Sequence, residues 1–320
     1  MKNILVFGGA GYIGSHTTYH LKTMGYNPIV ADNLIYGHKE SIPKGVSFEK
    51  VDLASPSQLE ALFKKYKFDA VIHFAAFAYV GESVKEPAKY YRNNVVGTIN
   101  LLDAMLAVNV KNIVFSSTCA TYGEPEYTPI DETHPQNPIN PYGQSKLMIE
   151  KVFADYERAY GLRWIALRYF NAAGAAFGIG ESHNPETHLI PLVLRSIMGG
   201  GAINVFGTDY GTPDGTCIRD YIHVLDLANA HRLAIEKLGD FTGALNLGTG
   251  VGTSVKEIIA VSEKVSGKKC PVNWAARRDG DPARLFATSG KAREALGWIP
   301  EKNIEEIISD AWAWENERKF

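Results

Sequence analysis

Seven residues near the start of the chain, Gly8-Gly9-Ala10-Gly11-Tyr12-Ile13-Gly14, constrain the fold more than any other segment. They follow a short apolar run at residues 2–7 and precede a helical pattern that continues to about Met24. The loop satisfies both G-x-x-G-x-x-G and G-x-G-x-x-G spacing. Glycines in such a loop allow a tight turn and a close backbone approach to a pyrophosphate, which the N-terminus of the following helix also attracts. The segment therefore predicts a dinucleotide-binding unit.

A second apolar run, residues 27–31, ends at Asp32. A carboxylate at the end of this strand can accept hydrogen bonds from an adenosine ribose. It would also repel a 2′-phosphate, so the sequence favours NAD over NADP as the cofactor.

Strand-like and helix-like segments alternate through the first half of the chain. Further apolar runs cover residues 46–51, 70–74, 112–115 and 163–167, and helical patterns lie near 57–66, 87–108 and 142–160. This alternation is typical of a doubly wound parallel sheet, whose ligands lie beyond the carboxyl ends of the strands. We therefore predict an α/β Rossmann fold.

The second half is less regular and predicts a substrate-holding unit. Residues 172–220 are rich in Gly, Pro, Asn and Thr, with one helical stretch at 191–198; residues 254–320 alternate helices with a strand near 272–274. A strand and helix at 221–238 and a strand at 244–247 are expected to return to the first domain. We predict a Rossmann domain at 1–172, with about 220–250 returning to it, and a smaller C-terminal α/β substrate-binding domain at 173–320.

Composition excludes several classes of function. Lys plus Arg is 33 and Asp plus Glu is 35, so the net charge of −2 gives no indication of a nucleic-acid partner. The sequence has no apolar stretch of about 18 residues that would predict a membrane span. The first strand is predicted to begin almost at Met1, so we expect no signal peptide.

The cysteines and histidines indicate a reducing compartment and no metal site. Cys119, Cys217 and Cys270 are odd in number and widely separated, so we expect reduced thiols and a cytoplasmic location. His16 and His20 lie four residues apart without a carboxylate or third ligand at a useful spacing, so we expect them on the first helix and expect no metal.

Tyr142 and Lys146 form the candidate catalytic pair. Residues four apart lie on the same helical face, and an ammonium beside a phenol favours the phenolate. We therefore expect Lys146 to lower the pKa of Tyr142 from about 10 by two to three units, which suits acid–base catalysis. Thr118 follows the fifth strand and would face the phenol, where its hydroxyl could bridge a substrate hydroxyl and the phenolate. An ordinary polar turn at Thr118 is the alternative.

Together these residues resemble the extended short-chain dehydrogenase/reductase superfamily. Longer motifs narrow the resemblance to nucleotide-sugar 4-epimerases, specifically those acting on UDP-glucose and UDP-galactose. These motifs are His73-Phe74-Ala75-Ala76, Tyr91-Arg92-Asn93-Asn94-Val95-Val96-Gly97-Thr98, Arg168-Tyr169-Phe170-Asn171, Asp214-Gly215-Thr216-Cys217-Ile218-Arg219-Asp220-Tyr221-Ile222-His223-Val224 and Arg277-Arg278-Asp279-Gly280-Asp281. The resemblance covers nearly the whole chain.

The resemblance implies two sets of binding residues and makes 173–320 a UDP-sugar-binding domain. NAD would be held by Gly8, Gly11, Tyr12, Ile13, Asp32, Asn33, Asp52, Leu53, Phe74, Ala75, Ala76, Asn94, Lys146 and Tyr169. The UDP-sugar would contact Thr118, Tyr142, Asn171, Leu189, Val205, Phe206, Arg219, Arg278 and Asp281. The two arginines suit a diphosphate, because guanidinium matches phosphate geometry. Surface salt bridges with Asp220 or Asp279 are the alternative.

The implied activity is that of an isomerase of galactose metabolism, which inverts C4′ of the sugar through a transient 4-keto intermediate. Tyr142 would exchange the proton of the 4′-hydroxyl, and Lys146 would bond the nicotinamide ribose and stabilise the phenolate. NAD would stay tightly bound and would not be consumed. By resemblance we also expect a homodimer, with the helices near 87–108 and 142–160 at its interface.

Other activities on the same fold remain open. The chain could epimerise UDP-N-acetylhexosamines or UDP-pentoses such as xylose and arabinose, because Leu285 stands where a tyrosine limits sugar size in strict relatives. Some members have a lysine at the position of Ala78, and the contact made by that lysine is absent here. Many members have an asparagine at the position of His188, which could contact the substrate or have a structural role at the start of a helix. A dehydratase or decarboxylase is disfavoured by Cys119 and Ala120, which are poor acids. An NAD-binding sensor would not need the Thr118, Tyr142 and Lys146 set.

Overall fold

The computed structural model describes residues 1–278 and 280–320. Its strands in chain order are β1 Asn3–Phe7, β2 Asn27–Asp32, β3 Ser47–Lys50, β4 Ala70–His73, β5 Asn112–Thr118, β6 Arg163–Tyr169, β7 Asn171–Ala173, β8 Ile203–Phe206, β9 Ile218–Arg219, β10 Tyr221–His223, β11 Gly243–Leu247, β12 Thr253–Ser254, β13 Val272–Ala275 and β14 Arg284–Leu285. Its α-helices are α1 Tyr12–Thr23, α2 Pro56–Lys65, α3 Val80–Lys85, α4 Pro87–Tyr90, α5 Gly97–Ala107, α6 Pro141–Tyr160, α7 Leu189–Arg195, α8 Val224–Lys237, α9 Val255–Ser266, α10 Gly290–Leu296 and α11 Ile304–Asn316.

The centre of the protein is a seven-stranded parallel sheet in the order β11-β6-β5-β4-β1-β2-β3. The chain runs outward in both directions from β1, whose neighbours are β2 and β4. This reversal of strand order opens a crevice at the carboxyl ends of β1 and β4, where doubly wound folds bind nucleotides. The predicted α/β Rossmann fold is confirmed.

Both faces of the sheet are covered by helices, which explains why its strands are apolar throughout. One face packs against α2, α5 and α6 through Leu59, Leu101 and Phe153. The other face packs against α1 and α8 through Leu21 and Leu227. A separate core joins α7, α9 and α11 with β8 and β13, and this cluster forms the smaller α/β unit of the second half.

The chain crosses between these units more than once. Strand β11 lies at the edge of the large sheet although it follows β7–β10 in sequence. Strand β10 pairs with β7 in a sheet of its own, and α8 packs along α1. The proposed boundary near residue 172 stays a prediction.

Several predicted elements have different limits in the structure. Strand β5 extends to Thr118, because residues 116–118 continue to pair with β6. The helix predicted at 87–108 is interrupted by a π-helical turn at Tyr91–Val96 between α4 and α5. Helix α3 was not predicted, nor were the short strands within 172–220.

Across residues 1–278 and 280–320, every helix is too short or too polar to cross a bilayer. The three cysteines are free thiols. His16 and His20 both lie on α1, as expected, and the His16 ring is buried and contacts the carbonyl oxygens of Tyr12 and Ile179.

Candidate active site

The glycine loop turns tightly from β1 into α1. Gly8 has a φ of +84°, and a Cβ at this position would lie 2.5 Å from the backbone nitrogen of Ala75. A Cβ at Gly14 would lie 2.2 Å from the carbonyl oxygen of Gly8. Only glycine fits either position, since both contacts are with backbone atoms. Gly11 precedes α1 without a side-chain cap, so the first N–H groups of α1 remain available to an anion.

Asp32 ends β2 beside this loop. Its carboxylate accepts the N–H groups of Ala10 at 3.1 Å and Leu34 at 2.8 Å. Burial raises the pKa of Asp32, while these backbone hydrogen bonds oppose the rise. Asn33 donates to Asp52 at 3.1 Å, which links the ends of β2 and β3. These polar groups therefore surround one rim of the crevice.

The segment after β4 closes the opposite side of the loop. Phe74 and Ala75 both donate their N–H to the carbonyl of Phe7, which holds 74–76 against Gly8. Asn94, in the π-helical turn, donates its amide to Phe77 O and to Ser145 Oγ, each at 3.0 Å. Its amide thus positions the 74–77 segment against α6, and a contact with a cofactor would require one of these bonds to break.

Helix α6 brings Tyr142 and Lys146 to the end of β5. Asn140 caps the helix by accepting the N–H of Gly143 at 2.8 Å, Pro141 occupies its first turn, and Gly161 ends it with a φ of +70°. Thr118 is the last residue of β5, and its hydroxyl accepts the N–H of Ala120 at 3.2 Å. The same hydroxyl interacts with the phenol of Tyr142. The structure therefore places the three predicted catalytic side chains together.

The electrostatic environment of Tyr142 differs from the prediction. Burial raises the pKa of Tyr142 to about 12, although the hydrogen bond with Thr118 lowers it. The expectation that Lys146 depresses this pKa is wrong for this structure. The reason is the direction of the ammonium, which lies 2.8 Å from the carbonyl oxygen of Ser116 and 5.9 Å from the Tyr142 ring centroid.

Lys146 is itself a perturbed group. It is only 2% exposed, and its ammonium stands 4.6 Å from the centroid of Phe115. Burial lowers the pKa of Lys146 to about 7, and the nearby charge of Glu150 opposes this shift. A perturbed lysine in a nucleotide crevice is typical of a functional site.

A buried network beneath α6 was missed by sequence reasoning. Arg168 on β6 forms two hydrogen bonds with Glu150, with distances of 3.0 Å and 2.5 Å, and a third with the hydroxyl of Tyr122 at 2.8 Å. Ser117 also donates to Glu150. These contacts fix α6 against β5 and β6. The signal was the Arg168-Tyr169-Phe170-Asn171 motif, in which only Tyr169 and Asn171 were given roles.

Arg219 and Arg278 converge on Asp281. Arg219 lies 3.3 Å from one carboxylate oxygen and Arg278 lies 4.0 Å from the other. The guanidinium of Arg278 also stands 4.4 Å from the ring centroid of Phe206. The alternative that Arg219 pairs with Asp220 is wrong, because Asp220 is buried and accepts hydrogen bonds from Thr249 and Ala287. The alternative partner Asp279 lies outside the described residues.

Three other predicted substrate residues, Asn171, Leu189 and Val205, lie on β7, α7 and β8. Asn171 donates to the carbonyl of Asp220 at 2.9 Å, and Val205 is buried on β8. Leu189 is the first residue of α7. Tyr169, a predicted cofactor residue, contacts Ser116 through its hydroxyl.

The side chain of His188 does not cap the N-terminus of α7. It precedes the helix without a side-chain cap, and its imidazole contacts Glu181 instead. A contact between His188 and substrate stays a prediction.

Cys119 links the catalytic residues with the arginines. Its pKa is raised to about 12 by burial, while the charge of Arg219 lowers it, and the thiol in turn raises the pKa of Tyr142. Leu285 packs in the same small cluster as Cys119 and pairs with Arg219 between β14 and β9. The catalytic tyrosine, the arginines and Leu285 therefore face one region of the molecule.

Residues 4–248 match the NAD dependent epimerase/dehydratase family. The chain belongs to this family. A UDP-glucose 4-epimerase of Rhizobium leguminosarum bv. trifolii is 52% identical over 98% of the chain and 97% of that protein. The crystal structure of UDP-glucose 4-epimerase from Brucella ovis in complex with NAD is 51% identical, with a TM-score of 0.95 over 98% of each chain. A UDP-Glc/GlcNAc 4-epimerase from Campylobacter jejuni is 42% identical, with a TM-score of 0.88 over 99% of this chain and 100% of that one.

Membership of this family confirms the resemblance found in the sequence and the expectation of an NAD-dependent isomerase. The described residues also fit the dinucleotide on their own chemistry. The glycine loop has no space for a Cβ at Gly8 or Gly14, the start of α1 is uncapped, and Asp32 ends β2. This combination is the donor set that NAD-binding Rossmann enzymes present.

Proposed function

We propose that this protein interconverts UDP-glucose and UDP-galactose by inverting the configuration at C4′ of the sugar. One observation supports this most strongly: Thr118, Tyr142 and Lys146 meet at the carboxyl edge of the sheet that also carries the glycine loop. The relatives with the same fold at about half identity are UDP-glucose 4-epimerases. A sensor that only binds NAD would have no use for this set.

The cofactor site would be formed by residues that follow β1, end β2 and lie on α6. The N–H groups of Tyr12 and Ile13 at the start of α1 would hold the pyrophosphate, because the N–H of Gly11 already donates to the carbonyl of Gly8 at 3.2 Å. Asp32 would accept the adenosine ribose hydroxyls. Lys146 would donate to the nicotinamide ribose. NAD, when bound, supplies the reversible oxidation at C4′ and is not consumed.

Tyr142 moves the proton of the 4′-hydroxyl. With a pKa of about 12 in the free protein, its phenol is protonated near neutrality and is a poor base. Efficient base catalysis requires positive charge beside the phenol once ligands fill the crevice, and Lys146 can contribute it by turning from Ser116. Thr118 hydrogen-bonds the phenol and shortens the proton path to the substrate.

The two arginines hold the diphosphate while the sugar turns. Inversion requires that the oxidised sugar present both faces to the same site, so the enzyme must bind UDP firmly and the sugar loosely. Arg278 can turn from Asp281 towards a diphosphate, because its distance of 4.0 Å from this carboxylate indicates weak pairing. Arg219 is anchored through Nη1 by the carbonyls of Ile218 and Pro282 at 2.9 Å and 2.8 Å, and its Nη2, which lies 3.3 Å from Asp281, is the group that can donate to the diphosphate.

A direct assay tests the activity. The purified protein is incubated with UDP-galactose without added NAD, and the products are read by NMR. We expect UDP-glucose to accumulate until the two sugars reach equilibrium. Unchanged UDP-galactose with NAD verifiably bound would support a sensor, and a 4-keto-6-deoxy product would support a dehydratase.

Leu285 supports a second activity, epimerisation of UDP-N-acetylhexosamines. It is half-buried, packs in the cluster with Cys119 and pairs with Arg219, so its small side chain borders the proposed sugar pocket. The same assay with UDP-N-acetylglucosamine tests it. UDP-xylose and UDP-arabinose complete the panel, because pentoses were not excluded by the sequence.

We also propose a cytoplasmic homodimer. Free thiols suit a reducing compartment. Helices α3 and α6 and the π-helical turn lie side by side and carry the exposed apolar residues Val84, Met148 and Val96, which suits a helical interface. Light scattering coupled to gel filtration tests the dimer, and a Val96→Glu variant should be monomeric.

A further inference from the structure

Four potential metal ligands meet in the segment that precedes α7. Glu181, His183, Glu186 and His188 each direct one nitrogen or oxygen atom to the same point, and these four atoms all lie within 4.8 Å of one another. We call these residues the 181–188 cluster. None of them was assigned to a metal by the sequence analysis.

Each imidazole of the cluster faces both carboxylates. Nδ1 of His183 lies 3.0 Å from Glu181 and 4.0 Å from Glu186. Nδ1 of His188 contacts Glu181 and lies 3.5 Å from Glu186. Two imidazole nitrogens and two carboxylates therefore lie within reach of a single ion.

The carboxylates lie at the buried end of the cluster. The side chains of Glu181 and Glu186 are only 6% and 3% exposed, whereas those of His183 and His188 are 25% and 48% exposed. Buried carboxylates require compensating charge. The histidines form the solvent side, which provides an entry path for an ion.

The nearby guanidinium of Arg195 is shared between the cluster and another carboxylate. Arg195 lies 3.5 Å from Glu186, but it also pairs with the buried Glu315 at 3.1 Å. Within the described part of the chain, Nδ1 of His183 is buried without a hydrogen-bond partner although it faces the carboxylates. A lone pair in this position can bind a cation directly.

A proton can occupy the same place as a metal ion. In the absence of an ion, the carboxylates of the cluster face imidazole nitrogens, and a proton on an imidazole can offset their charge. A divalent cation would replace that proton and leave both imidazoles neutral, so metal binding would release protons.

We propose that the 181–188 cluster binds one divalent transition-metal ion, with Zn²⁺ as the preferred occupant, through one atom of each side chain. Two imidazole nitrogens and two carboxylate oxygens suit Zn²⁺, whereas Mg²⁺ and Ca²⁺ prefer oxygen ligands alone. Four protein ligands complete a tetrahedral sphere, and structural zinc sites have this closed form. Binding would draw the donors to about 2.0–2.2 Å from the ion.

The position of the cluster gives the ion a structural role. The ring of His183 packs edge-on against Tyr12 of the nucleotide loop and against Tyr79, with centroid distances of 6.4 Å and 6.3 Å. His188 directly precedes Leu189, the first residue of α7. An ion at this point would therefore stabilise the position of the glycine loop relative to α7, the helix predicted to border the substrate.

Metal binding to the intact, NAD-loaded protein tests the proposal. The protein is treated with a chelator, returned to metal-free buffer and titrated with Zn²⁺ against a chromophoric competitor. We expect one Zn²⁺ per chain. X-ray absorption of the zinc protein should show nitrogen and oxygen scatterers at about 2.0–2.2 Å, including two imidazoles.

Matched variants locate the site. Glu186→Gln keeps the shape of the side chain, and both it and His183→Gln should weaken Zn²⁺ binding more than about tenfold, since loss of outer partners alone costs that much. His20→Gln removes an imidazole on α1 outside the cluster and should change nothing. Circular dichroism and retained NAD show that each variant is folded.

Three results would overturn the proposal. The wild-type protein could bind no Zn²⁺ at micromolar free metal, which would leave the cluster as two ion pairs. Binding could persist undiminished in both Glu186→Gln and His183→Gln. Sulfur scatterers at about 2.3 Å would place the ion on a cysteine instead.

Discussion

A Cβ at Gly143 would lie 2.3 Å from the carbonyl oxygen of Ala120. The first turn of α6 thus rests directly on the backbone that follows β5. This contact sets the distance between Tyr142 and Thr118, which belong to those two elements.

Gly143→Ala should impair catalysis by moving the start of α6. The added methyl group must displace backbone, and a shift of about 1 Å can reduce turnover about 100-fold. Turnover of UDP-galactose and retained NAD measure the effect. Gly239→Ala, where a Cβ meets nothing within 4 Å, is the control and should be as active as wild type. Equal activity in both variants would contradict the spacing role.

Tyr142→Phe should lower turnover about 10²- to 10⁴-fold, the usual contribution of a general acid–base group. The fold and bound NAD should be unchanged, because the substitution removes one oxygen atom and keeps the aromatic ring in place. Tyr127→Phe removes an exposed phenol and serves as the control. Near-normal turnover in Tyr142→Phe would remove the residue from the mechanism.

The buried ammonium of Lys146 should make stability depend on pH. Its pKa is about 7 in the folded protein and 10.5 in its ordinary state, so between these values the unfolded chain binds a proton that the folded chain releases. Stability therefore rises with pH across this range, by up to about 1.4 kcal/mol per pH unit.

Urea unfolding of the nucleotide-free protein at pH 7, 8 and 9 measures this dependence against Lys146→Met, which lacks the titrating group. The wild type should gain stability relative to the variant as the pH rises. Parallel curves would show that the ammonium is not perturbed.

Glu150→Gln should destabilise the fold strongly, because it leaves Arg168 buried with a partner that has lost its charge. Breaking a buried pair in this way costs about 3–5 kcal/mol. Urea unfolding measures the loss, and Glu60→Gln, which removes an exposed partner of Lys64, should have no measurable effect. If the loss of stability arises from the unpaired charge of Arg168, the double variant Glu150→Gln/Arg168→Met should recover part of the free energy of unfolding.

Leu285→Tyr should narrow the sugar pocket. We expect turnover of UDP-N-acetylglucosamine to fall at least about tenfold, while that of UDP-glucose changes little, because a larger ring would collide with the N-acetyl group first. Leu285→Ile, which keeps the volume, is the control. A similar loss for both sugars would show general damage to the β9–β14 pairing instead.

The sequence was informative where local chemistry decides the structure. Glycine spacing, apolar runs and the turn before α6 are local patterns, so the loop at Gly8 and the pair Tyr142 and Lys146 could be recognised. The extension of β5 to Thr118 was missed, since its last residues are polar and depend on pairing with β6.

Interactions between distant residues were not predictable in the same way. The pairing of Glu150 with Arg168 joins a helix to a strand and has no sequence spacing of its own. The pKa of Tyr142 depends on where the ammonium of Lys146 points, which helical spacing alone does not determine. The 181–188 cluster, in contrast, had a visible spacing of histidines and glutamates in one short segment.

Strand β11 completes the edge of the large sheet but lies late in the sequence, which has a consequence for folding during synthesis. The strand beside β6 lies beyond residue 242, so three-quarters of the polypeptide must leave the ribosome before the nucleotide-binding half can be completed. Until then β6 presents an apolar edge that invites pairing with another nascent chain. A gene fragment cut at the midpoint of the 320 residues would end before β6, so it would lack β6 as well as β11 and would leave β5 as its open edge. We therefore do not expect the two halves of this enzyme to fold as independent modules.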